Sequence, residues 1–361
     1  MRVAGIMSGT SLDGIDVAIV DIAGRGWNKR IRTVALGVAP YPRAVREALL
    51  GVSNRETHTA EISRLNFLLG ELYAKAVLRV CQGSRVELIG CHGQTIYHES
   101  GAHTLQIGEG SVVAERTGLP VVCDFRPRDI AAGGRGAPLV PLVDYLLFRH
   151  RRRGRTALNI GGIANITVIP PGAPPEDVIA FDTGPGNMVI DGLVSHYTGG
   201  KRKFDRDGRI AARSHVNANL LAELLADRYY RRPPPKTAGR EQYGREFVER
   251  LLATGLPLPD LIATATALTA ATIARACPAQ AGWELIVSGG GAHNRQLMAQ
   301  LAAFLPGHTI RTSADFGIDV DGKEAIAFAV LAYETWHGRP SNLPSATGAR
   351  RAVVLGKIVR A

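Results

Sequence analysis

The order of hydrophobic and polar positions at the start of the chain predicts a β-hairpin with a specialised turn. Residues 3–7 are mostly apolar, residues 8–14 are rich in Gly, Ser, Thr and Asp, and residues 15–20 return to a largely apolar run. Gly9 and Gly14 are able to turn backbone N–H groups toward an anion, and the neighbouring hydroxyls add donors. The turn is therefore a candidate phosphate cradle, although an ordinary hairpin turn favours the same residue types.

Two carboxylates, Asp13 and Asp16, lie in or beside this turn. They would repel a bare phosphate, so their presence indicates either a bridging Mg²⁺ or a proton-accepting role. Both are candidate metal ligands that act through water.

A second group of polar residues follows the apolar run at residues 86–91, which predicts a short strand. His92, Gln94 and Thr95 come at its carboxyl end, the edge where open α/β sheets bind ligands. We expect these three residues to contact a ligand. The alternative is that His92 is a structural histidine.

Charged residues follow the next predicted strand, residues 121–123. The guanidinium groups of Arg126 and Arg128 are suited to holding a carboxylate or phosphate through paired hydrogen bonds, with Asp129 nearby. The alternative is that these Arg and Asp side chains pair with one another at the surface.

The organisation of the opening returns in the second half of the chain. A predicted strand at residues 156–160 leads into a glycine turn and a return strand at residues 166–169. Two hairpins of the same design predict two α/β domains that face each other, although no residue-by-residue repeat is visible. We expect a first domain at residues 1–150 and a second at 151–361, with the last helix as a candidate to return to the first domain.

Asp182 follows a predicted strand at residues 179–181 and precedes a Gly-Pro-Gly turn. A carboxylate at the end of a strand is well placed to act as a catalytic base, and we assign it that role. The alternative is a turn-capping or helix-capping residue.

A strand, a glycine run and a helix follow one another between residues 285 and 305. This arrangement lets a nucleotide approach the backbone near a helix N-terminus. The run is not a Walker A motif, because no Gly-Lys-Ser/Thr follows, and it contains no G-x-G-x-x-G.

Two further segments are candidates for ligand contact. Residues 233–235 are three consecutive prolines, which predict a stiff extended segment able to present Lys236 and Arg240, or a rigid surface linker. The last predicted helix, residues 322–336, opens with the charged pair Lys323 and Glu324.

The formal charge of +11 over 361 residues raises the question of nucleic-acid binding. Only seven of the 43 basic residues are Lys. We therefore attribute the positive charge to an arginine-rich composition and not to an anionic ligand. The dense basic run at residues 149–155 lacks aromatic residues for base stacking and lies where we expect a domain boundary. We interpret it as a solvated linker and expect no nucleic-acid partner.

The sequence carries no sign of a membrane or secreted protein. No apolar stretch approaches the roughly 18–20 residues needed to span a bilayer, and the N-terminus lacks a signal-peptide core. The four cysteines lie far apart, without a C-x-x-C pair, so we expect reduced, mostly buried thiols. These features predict a cytoplasmic protein.

Together, these stretches resemble the anhydro-N-acetylmuramic acid kinases of bacterial cell-wall recycling. Nearly the full chain takes part, and the order of the motifs is more specific than any one of them. The matching motifs are residues 5–16, 91–95, 124–126, 136–141, 158–165, 181–187, 288–294 and 323–328.

The resemblance implies an α/β fold of the actin, Hsp70 and hexokinase type, with two ribonuclease-H-like domains facing each other across a nucleotide cleft. It implies ATP and Mg²⁺, and a reaction that opens the 1,6-anhydro ring with water and phosphorylates the freed 6-hydroxyl. The products would be N-acetylmuramic acid 6-phosphate and ADP. The partners would be ATP and an anionic amino sugar, with no nucleic acid and no membrane, and a homodimer is one compatible assembly.

The resemblance also implies roles for individual residues. Asp182 corresponds to the catalytic base. The expected nucleotide contacts are Gly9, Thr10, Ser11, Leu12, Asp13, Gly14, Ile15, Asp16, Gly161, Gly162, Asn165, Gly289, Gly290, Gly291 and Asn294. The expected sugar contacts are His92, Gln94, Thr95, Arg126, Arg128, Asp129, Thr183, Gly184, Asn187 and Glu324.

This chain departs from the family pattern at two places. Arg135 replaces a frequent Gln in the glycine turn at residues 133–136, and Thr237-Ala238 replaces a frequent Ser-Thr, which removes a hydroxyl. Three alternatives to the family activity are a kinase of the same fold with another substrate, an actin-like or chaperone-like ATPase, and a nucleic-acid binder.

Overall fold

A computed structural model describes residues 1–9, 12 and 14–361 of the chain. The strands are β1 (Arg2–Ser8), β2 (Gly14–Arg25), β3 (Asn28–Pro40), β4 (Leu88–Glu99), β5 (His103–Ile107), β6 (Val121–Cys123), β7 (Arg155–Ile160), β8 (Ile163–Ile169), β9 (Ile179–Pro185), β10 (Glu284–Ser288), β11 (Thr309–Thr312) and β12 (Lys357–Val359). The helices are α1 (Arg43–Val52), α2 (Thr59–Val80), α3 (Gly110–Thr117), α4 (Phe125–Ala131), α5 (Pro141–Phe148), α6 (Asn187–Tyr197), α7 (Ala218–Leu225), α8 (Arg240–Tyr243), α9 (Arg245–Leu252), α10 (Leu258–Ala276), α11 (Arg295–Phe304), α12 (Lys323–Trp336) and α13 (Pro344–Thr347).

The chain forms two compact units. The first contains Met1–Leu147 and Gly322–Ala361, and the second contains Phe148–Asp321. The final helix and strand therefore pack within the first unit. Whether the chain divides into independently folding domains between residues 150 and 151 stays a prediction.

The sheet of the first unit has the strand order β12-β6-β4-β1-β2-β3, with β5 paired to β4. Strands β1, β2 and β3 are antiparallel neighbours, whereas β1, β4 and β6 run parallel. The apolar residues of β1 and β2 form a core with α1, α2 and α3. The predicted helix at residues 59–80 is confirmed, since its apolar residues recur at helical spacing and are buried.

Helix α12 packs so closely on β1 and β4 that two strand positions exclude any side chain. A Cβ at Gly5 would lie 1.9 Å from the carbonyl oxygen of Ala325, and one at Gly90 would lie 2.3 Å from that of Phe328. The helix is buried along nearly its whole length, as expected for a helix that is apolar all round. This contact fixes the first turns of α12 relative to β1 and β4.

The sheet of the second unit has the order β9-β8-β7-β10-β11. Strands β7, β8 and β9 are antiparallel, and β7, β10 and β11 are parallel. Both sheets thus place an antiparallel three-stranded meander beside parallel strands, the order of a ribonuclease-H-like domain. The predicted α/β class, with one such sheet in each unit, and the two hairpins of the same design are confirmed.

Two predicted strand ends are wrong. Strand β4 continues past residue 91 to Glu99, because β5 pairs with its second half. Strand β9 continues past residue 181 to Pro185, because β8 pairs with it along that length. His92 and Asp182 therefore lie inside strands, beside irregularities in the pairing.

The basic run at residues 149–155 is not a simple solvated linker. Arg155 begins β7, and its Nε lies 2.6 Å from the buried carboxylate of Glu284. Arg153 contacts the same carboxylate at 2.8 Å. The carboxylate binds these arginines because Glu284 begins β10, the strand next to β7.

Candidate functional site

Four neighbouring strands of the second unit place polar residues in one row. Ser288 on β10 is opposite Asn159 on β7, Asn159 is opposite Asn165 on β8, and Asn165 is opposite Asp182 on β9. Directly opposed residues share one face of a sheet. The row therefore gathers hydroxyl, amide and carboxylate groups on that face.

Three groups of Asp182 are hydrogen-bonded. Its backbone N–H donates to the carbonyl oxygen of Lys236 at 3.2 Å, and its own carbonyl oxygen accepts from the Tyr229 hydroxyl at 2.6 Å. Its carboxylate oxygen Oδ2 accepts from the backbone N–H of Ala238 at 2.8 Å. Within the described residues, this arrangement leaves Oδ1 as the carboxylate oxygen without a hydrogen bond.

The environment of Asp182 raises the pKa of its carboxyl to about 7. Burial is the largest cause, the Ala238 N–H opposes it, and the charge of Glu241 adds to it. A carboxylate with a pKa close to neutral is suited to taking up a proton during a reaction.

Glycine turns lie next to this row. Gly186 N–H donates to the carbonyl of Gly162 at 2.9 Å, and Asn187 N–H donates to that of Gly161 at 2.8 Å. A Cβ at Gly186 would lie 2.3 Å from the Gly161 oxygen, so only glycine fits there. The turn between β7 and β8 is thereby held against the start of α6.

The Gly289–Gly291 run meets the same turn. A Cβ at Gly291 would lie 2.3 Å from the Ile160 side chain, and the Asn187 amide nitrogen donates to the Ile160 carbonyl at 3.2 Å. The atom nearest to a Cβ built at Gly290 would be the Asn187 amide nitrogen, at 3.7 Å, so the backbone at Gly290 is accessible. The structure therefore brings Gly161, Gly162, Asn187 and the Gly289–Gly291 run together.

Three other predicted residues of the second unit serve local structure. The Asn294 side chain caps α11 by accepting from the Leu297 N–H at 3.0 Å. The buried Thr183 hydroxyl donates to the Ala164 carbonyl at 3.2 Å. Gly184 has a φ of 150° and lies against the Tyr230 ring.

In the first unit, the carboxyl end of β1 and the middle of β4 hold a buried network of hydroxyl and amide groups. The Ser8 hydroxyl lies 2.7 Å from the Tyr41 hydroxyl and also bonds to the Gln94 side-chain oxygen. The Tyr41 hydroxyl lies 3.3 Å from that of Tyr73. Burial raises the pKa of Tyr41 to about 12, so this network is neutral at physiological pH.

His92 on β4 and Arg126 on α4 form a second cluster in the first unit. His92 Nδ1 faces the Gly93 carbonyl at 2.8 Å, so Nε2 is the acceptor for Arg126, whose Nε and Nη2 donate to it. Burial, with the Arg126 charge second, holds the pKa of His92 well below its usual range. Burial also lowers the pKa of Arg126 to about 10, although the charges of Glu324 and Asp129 oppose this effect.

The remaining predicted sugar contacts of the first unit differ in exposure. Arg128 is exposed, whereas Asp129 is fully buried. The Asp129 carboxylate accepts from Asn342, Thr347 and the Gly136 N–H at 2.7–2.8 Å. Thr95 accepts from Gln106 at 3.1 Å. Glu324, in the first turn of α12, has its pKa raised, chiefly by burial.

The predicted phosphate turn of the first unit is only partly described. Thr10, Ser11 and Asp13 lie outside the described residues. Gly9 accepts from the Leu12 N–H at 3.2 Å, while the Leu12 and Ile15 side chains belong to the core. Any nucleotide contact at Leu12 or Ile15 is therefore a backbone contact. Gly14 begins β2, and the half-buried Asp16 is opposite Met7.

Comparison with known proteins identifies the family. The family model for anhydro-N-acetylmuramic acid kinase matches residues 1–361. The chain belongs to the anhydro-N-acetylmuramic acid kinase family. It is 46% identical to a family member from Caldanaerobacter subterraneus, over 99% of this chain and 96% of that protein. It is 44% identical to one from Gloeobacter violaceus, over 98% and 97% of the two chains, and 45% identical to one from Streptomyces coelicolor, over 99% and 93%.

Among solved structures, a ROK family glucokinase from Streptomyces griseus covers 92% of this chain and 100% of its own. Its sequence identity is 13% and its TM-score is 0.43.

In this member of the anhydro-N-acetylmuramic acid kinase family, a cavity of about 540 Å³ opens beside His92 in the first unit. Sequence patterns did not single out most of its lining, which includes Asn66, Gln106 and Glu109. Those residues come from α2 and from the strand and loop that precede α3. No local motif marks them, because the three segments meet only in the folded unit.

Sequence analysis also missed Asn159, which lies in the same row of polar residues as Asp182. It missed Tyr229 and the backbone of Ala238 as well, and both of these contact Asp182. Asn159 could have been found from the repeated hairpin, since it precedes the glycine turn as Ser8 does in the first hairpin. The triple-proline segment was predicted either to present Lys236 to a ligand or to form a rigid surface linker. The Lys236 ammonium donates to the Tyr229 carbonyl at 3.1 Å.

Within the described residues, no group of three or more His, Cys, Asp or Glu side chains is arranged to hold a metal ion. None of the helices in the described part of the chain has the length and hydropathy of a membrane span.

Proposed function

We propose that this protein opens the 1,6-anhydro ring of 1,6-anhydro-N-acetylmuramic acid with water and phosphorylates the freed 6-hydroxyl with ATP. The products are N-acetylmuramic acid 6-phosphate and ADP, as a step of bacterial peptidoglycan recycling. Family membership supports the substrate. The observation that supports the chemistry is Asp182, a half-buried carboxylate with one free oxygen and a pKa of about 7.

Asp182 serves as the general base in this proposal. It takes a proton from the water that forms a bond to the anomeric carbon, while the bond from that carbon to the 6-oxygen breaks. The 6-oxygen then bonds to the γ-phosphorus, and ADP leaves as the bond to its bridging oxygen breaks. General-base assistance contributes roughly 10²–10⁴-fold to such a rate.

The nucleotide is proposed to lie against backbone. In the second unit, Gly161 and Gly162 hold phosphate and Gly289, Gly290 and Gly291 lie by the adenosine, with Asn165 and Asn294 at the borders. Support comes from Gly290, whose backbone is accessible. In the first unit, the turn from Gly9 to Asp16 supplies further N–H groups for phosphate.

Mg²⁺ is proposed to be held by Asp13 and Asp16 through water. Asp16 fits this role because it is half-buried at the carboxyl edge of the first sheet and offers hard oxygen ligands. When bound, the ion would neutralise charge on the transferring phosphoryl group.

The sugar is proposed to bind along His92, Gln94, Thr95, Arg126, Arg128, Asp129 and Glu324 of the first unit, and Thr183, Gly184 and Asn187 of the second. Arg126 is the candidate for the lactyl carboxylate. Its donors to His92 and to the Gly136 carbonyl leave one N–H on each terminal nitrogen for a bidentate contact. Asp129 takes a positioning role, since its carboxylate is fully engaged by the neighbouring loops.

The proposal includes a cytoplasmic enzyme with small-molecule partners, for which a homodimer is one compatible assembly. Light scattering after size-exclusion chromatography measures the molar mass of the protein in solution, which gives the number of chains in the assembly.

Incubation with ATP, Mg²⁺ and the anhydro sugar in ¹⁸O-labelled water tests the reaction. We expect a product that carries both one phosphoryl group and one ¹⁸O atom at the anomeric carbon. A product with added phosphate but no added water would refute the hydrolytic step. Turnover of other sugars alone would favour a different kinase, and ATP hydrolysis independent of any sugar would favour an ATPase.

A further inference from the structure

We propose that residues 229–239, here called the strap, position the carboxylate of Asp182 and control its ionisation through the backbone N–H of Ala238. The strap begins within a short helical turn at Arg228–Arg231 and ends where α8 begins. The proposal rests on the role of Asp182 in the proposed function.

The strap lies along β9, the edge strand of the second sheet. It accepts from the Asp182 N–H at Lys236, donates to the Asp182 carbonyl from Tyr229, and donates to Oδ2 from Ala238. Backbone and side chain of Asp182 are therefore held by one segment. Because Oδ2 is fixed, Oδ1 is the oxygen that accepts a proton.

Lys236 folds the strap back on itself. Its ammonium donates to the Tyr229 carbonyl and lies 4.8 Å from the Tyr229 ring centre and 5.4 Å from that of Phe181. The Tyr229 ring is buried and packs edge-on against Tyr230 and Tyr243. A cation held between two aromatic faces and a carbonyl stabilises this conformation of the strap.

Charged groups around Asp182 act in opposite directions. The Ala238 N–H stabilises the carboxylate, whereas Glu241 of α8 destabilises it through charge repulsion. Tyr229 remains neutral because burial raises its pKa, and Lys236 directs its ammonium to the Tyr229 carbonyl. The strap and the helix after it therefore shift the pKa of Asp182 in opposite directions, in addition to the larger effect of burial.

The same geometry explains how this chain departs from the family pattern without losing the contact. Ala238 stands where a Thr is frequent, but the bond to Asp182 comes from its backbone. Thr237 is exposed. Any residue other than proline at position 238 keeps the donor.

The test compares Ala238→Pro, which removes the N–H, with Ala238→Ser, which keeps it. The readout is the carboxyl titration of Asp182, followed by ¹³C NMR of Asp-labelled protein and assigned by its loss in Asp182→Asn. We expect the titration midpoint to rise by about one pH unit in Ala238→Pro, since a hydrogen bond to a charged group is lost. Ala238→Ser should leave the titration midpoint unchanged.

A second variant covers the case in which Ala238→Pro disturbs the fold. Glu241→Gln removes the repelling charge of an exposed side chain, so the midpoint should fall. An unmoved midpoint in folded Ala238→Pro, or in Glu241→Gln where Ala238→Pro does not fold, would overturn the proposal. Because the titration needs no substrate, midpoints that move while Asp182→Asn keeps full turnover would refute the base and leave the strap proposal intact.

Discussion

One ring nitrogen of His92 accepts two hydrogen bonds from Arg126, from Nε at 3.1 Å and from Nη2 at 2.8 Å. A third donor of the guanidinium, Nη1, reaches the Gly136 carbonyl at 2.8 Å. The planar fork of arginine makes these contacts at once, and lysine has no equivalent geometry. The orientation of this cation therefore depends on the guanidinium group.

Arg126→Lys should raise the KM for the anhydro sugar about tenfold or more, which corresponds to about 1.4 kcal/mol of binding free energy. The KM for ATP should stay within twofold. Steady-state kinetics with each substrate varied in turn measures both values. Arg64→Lys, an exposed change on α2, is the matched control. An unchanged sugar KM in Arg126→Lys would shift the carboxylate contact to Arg128.

Asp182→Asn should lower turnover by roughly 10²–10⁴-fold, the scale of a lost general base. Asparagine keeps the size of the side chain and an oxygen that accepts from Ala238, so ATP binding and folding should persist. Calorimetric titration with ATP and circular dichroism check these two properties. Near-normal turnover in the folded variant would mean that Asp182 only organises the strand.

The pH profile of turnover should have an acid limb with a midpoint near pH 7. The base must be ionised to act, and burial raises the pKa of Asp182 to about 7. Below the midpoint the rate should fall about tenfold per pH unit. The Glu241→Gln variant should move the limb to lower pH. A limb near pH 4 would show that Asp182 titrates as an exposed carboxyl.

The same pKa predicts the sign of a stability change. A carboxyl whose pKa is higher in the folded state favours folding when it is protonated. This contribution is complete below the ordinary pKa near 3.8 and is lost as the pH rises through about 7. Asp182→Asn should remove this pH dependence, as measured by urea unfolding at several pH values.

Lys323→Met should destabilise the first unit by about 3–5 kcal/mol, because it removes a cation that pairs with the buried carboxylate of Asp144. The two side chains are 2.9 Å apart and almost fully enclosed. Urea denaturation measures the change, and Lys323→Met with Asp144→Leu should recover much of the loss. Arg43→Met, which breaks an exposed pair with Glu47, should leave the free energy of unfolding nearly unchanged.

Local sequence patterns determined much of this protein. Apolar periodicity predicted α2, the glycine-rich turns predicted both hairpins, and the ordered motifs predicted the family and its fold class. These features depend on residues close together in the chain, where backbone preference and side-chain spacing act directly. The ends of the strands were harder to predict from the sequence, because β4 and β9 extend only as far as their neighbours β5 and β8 pair with them.

Only the tertiary structure decided which groups meet at the candidate site. Ala238 reaches Asp182 across 56 residues, and Arg126 reaches His92 across 34. The sequence singled out Asp182 as a carboxylate on a glycine-rich turn, but its pKa depends on burial and on a strap that no local motif marks. Hydrogen bonds and desolvation act over a few ångströms in space, so the path of the chain, and not the separation in sequence, sets the chemistry of that carboxylate.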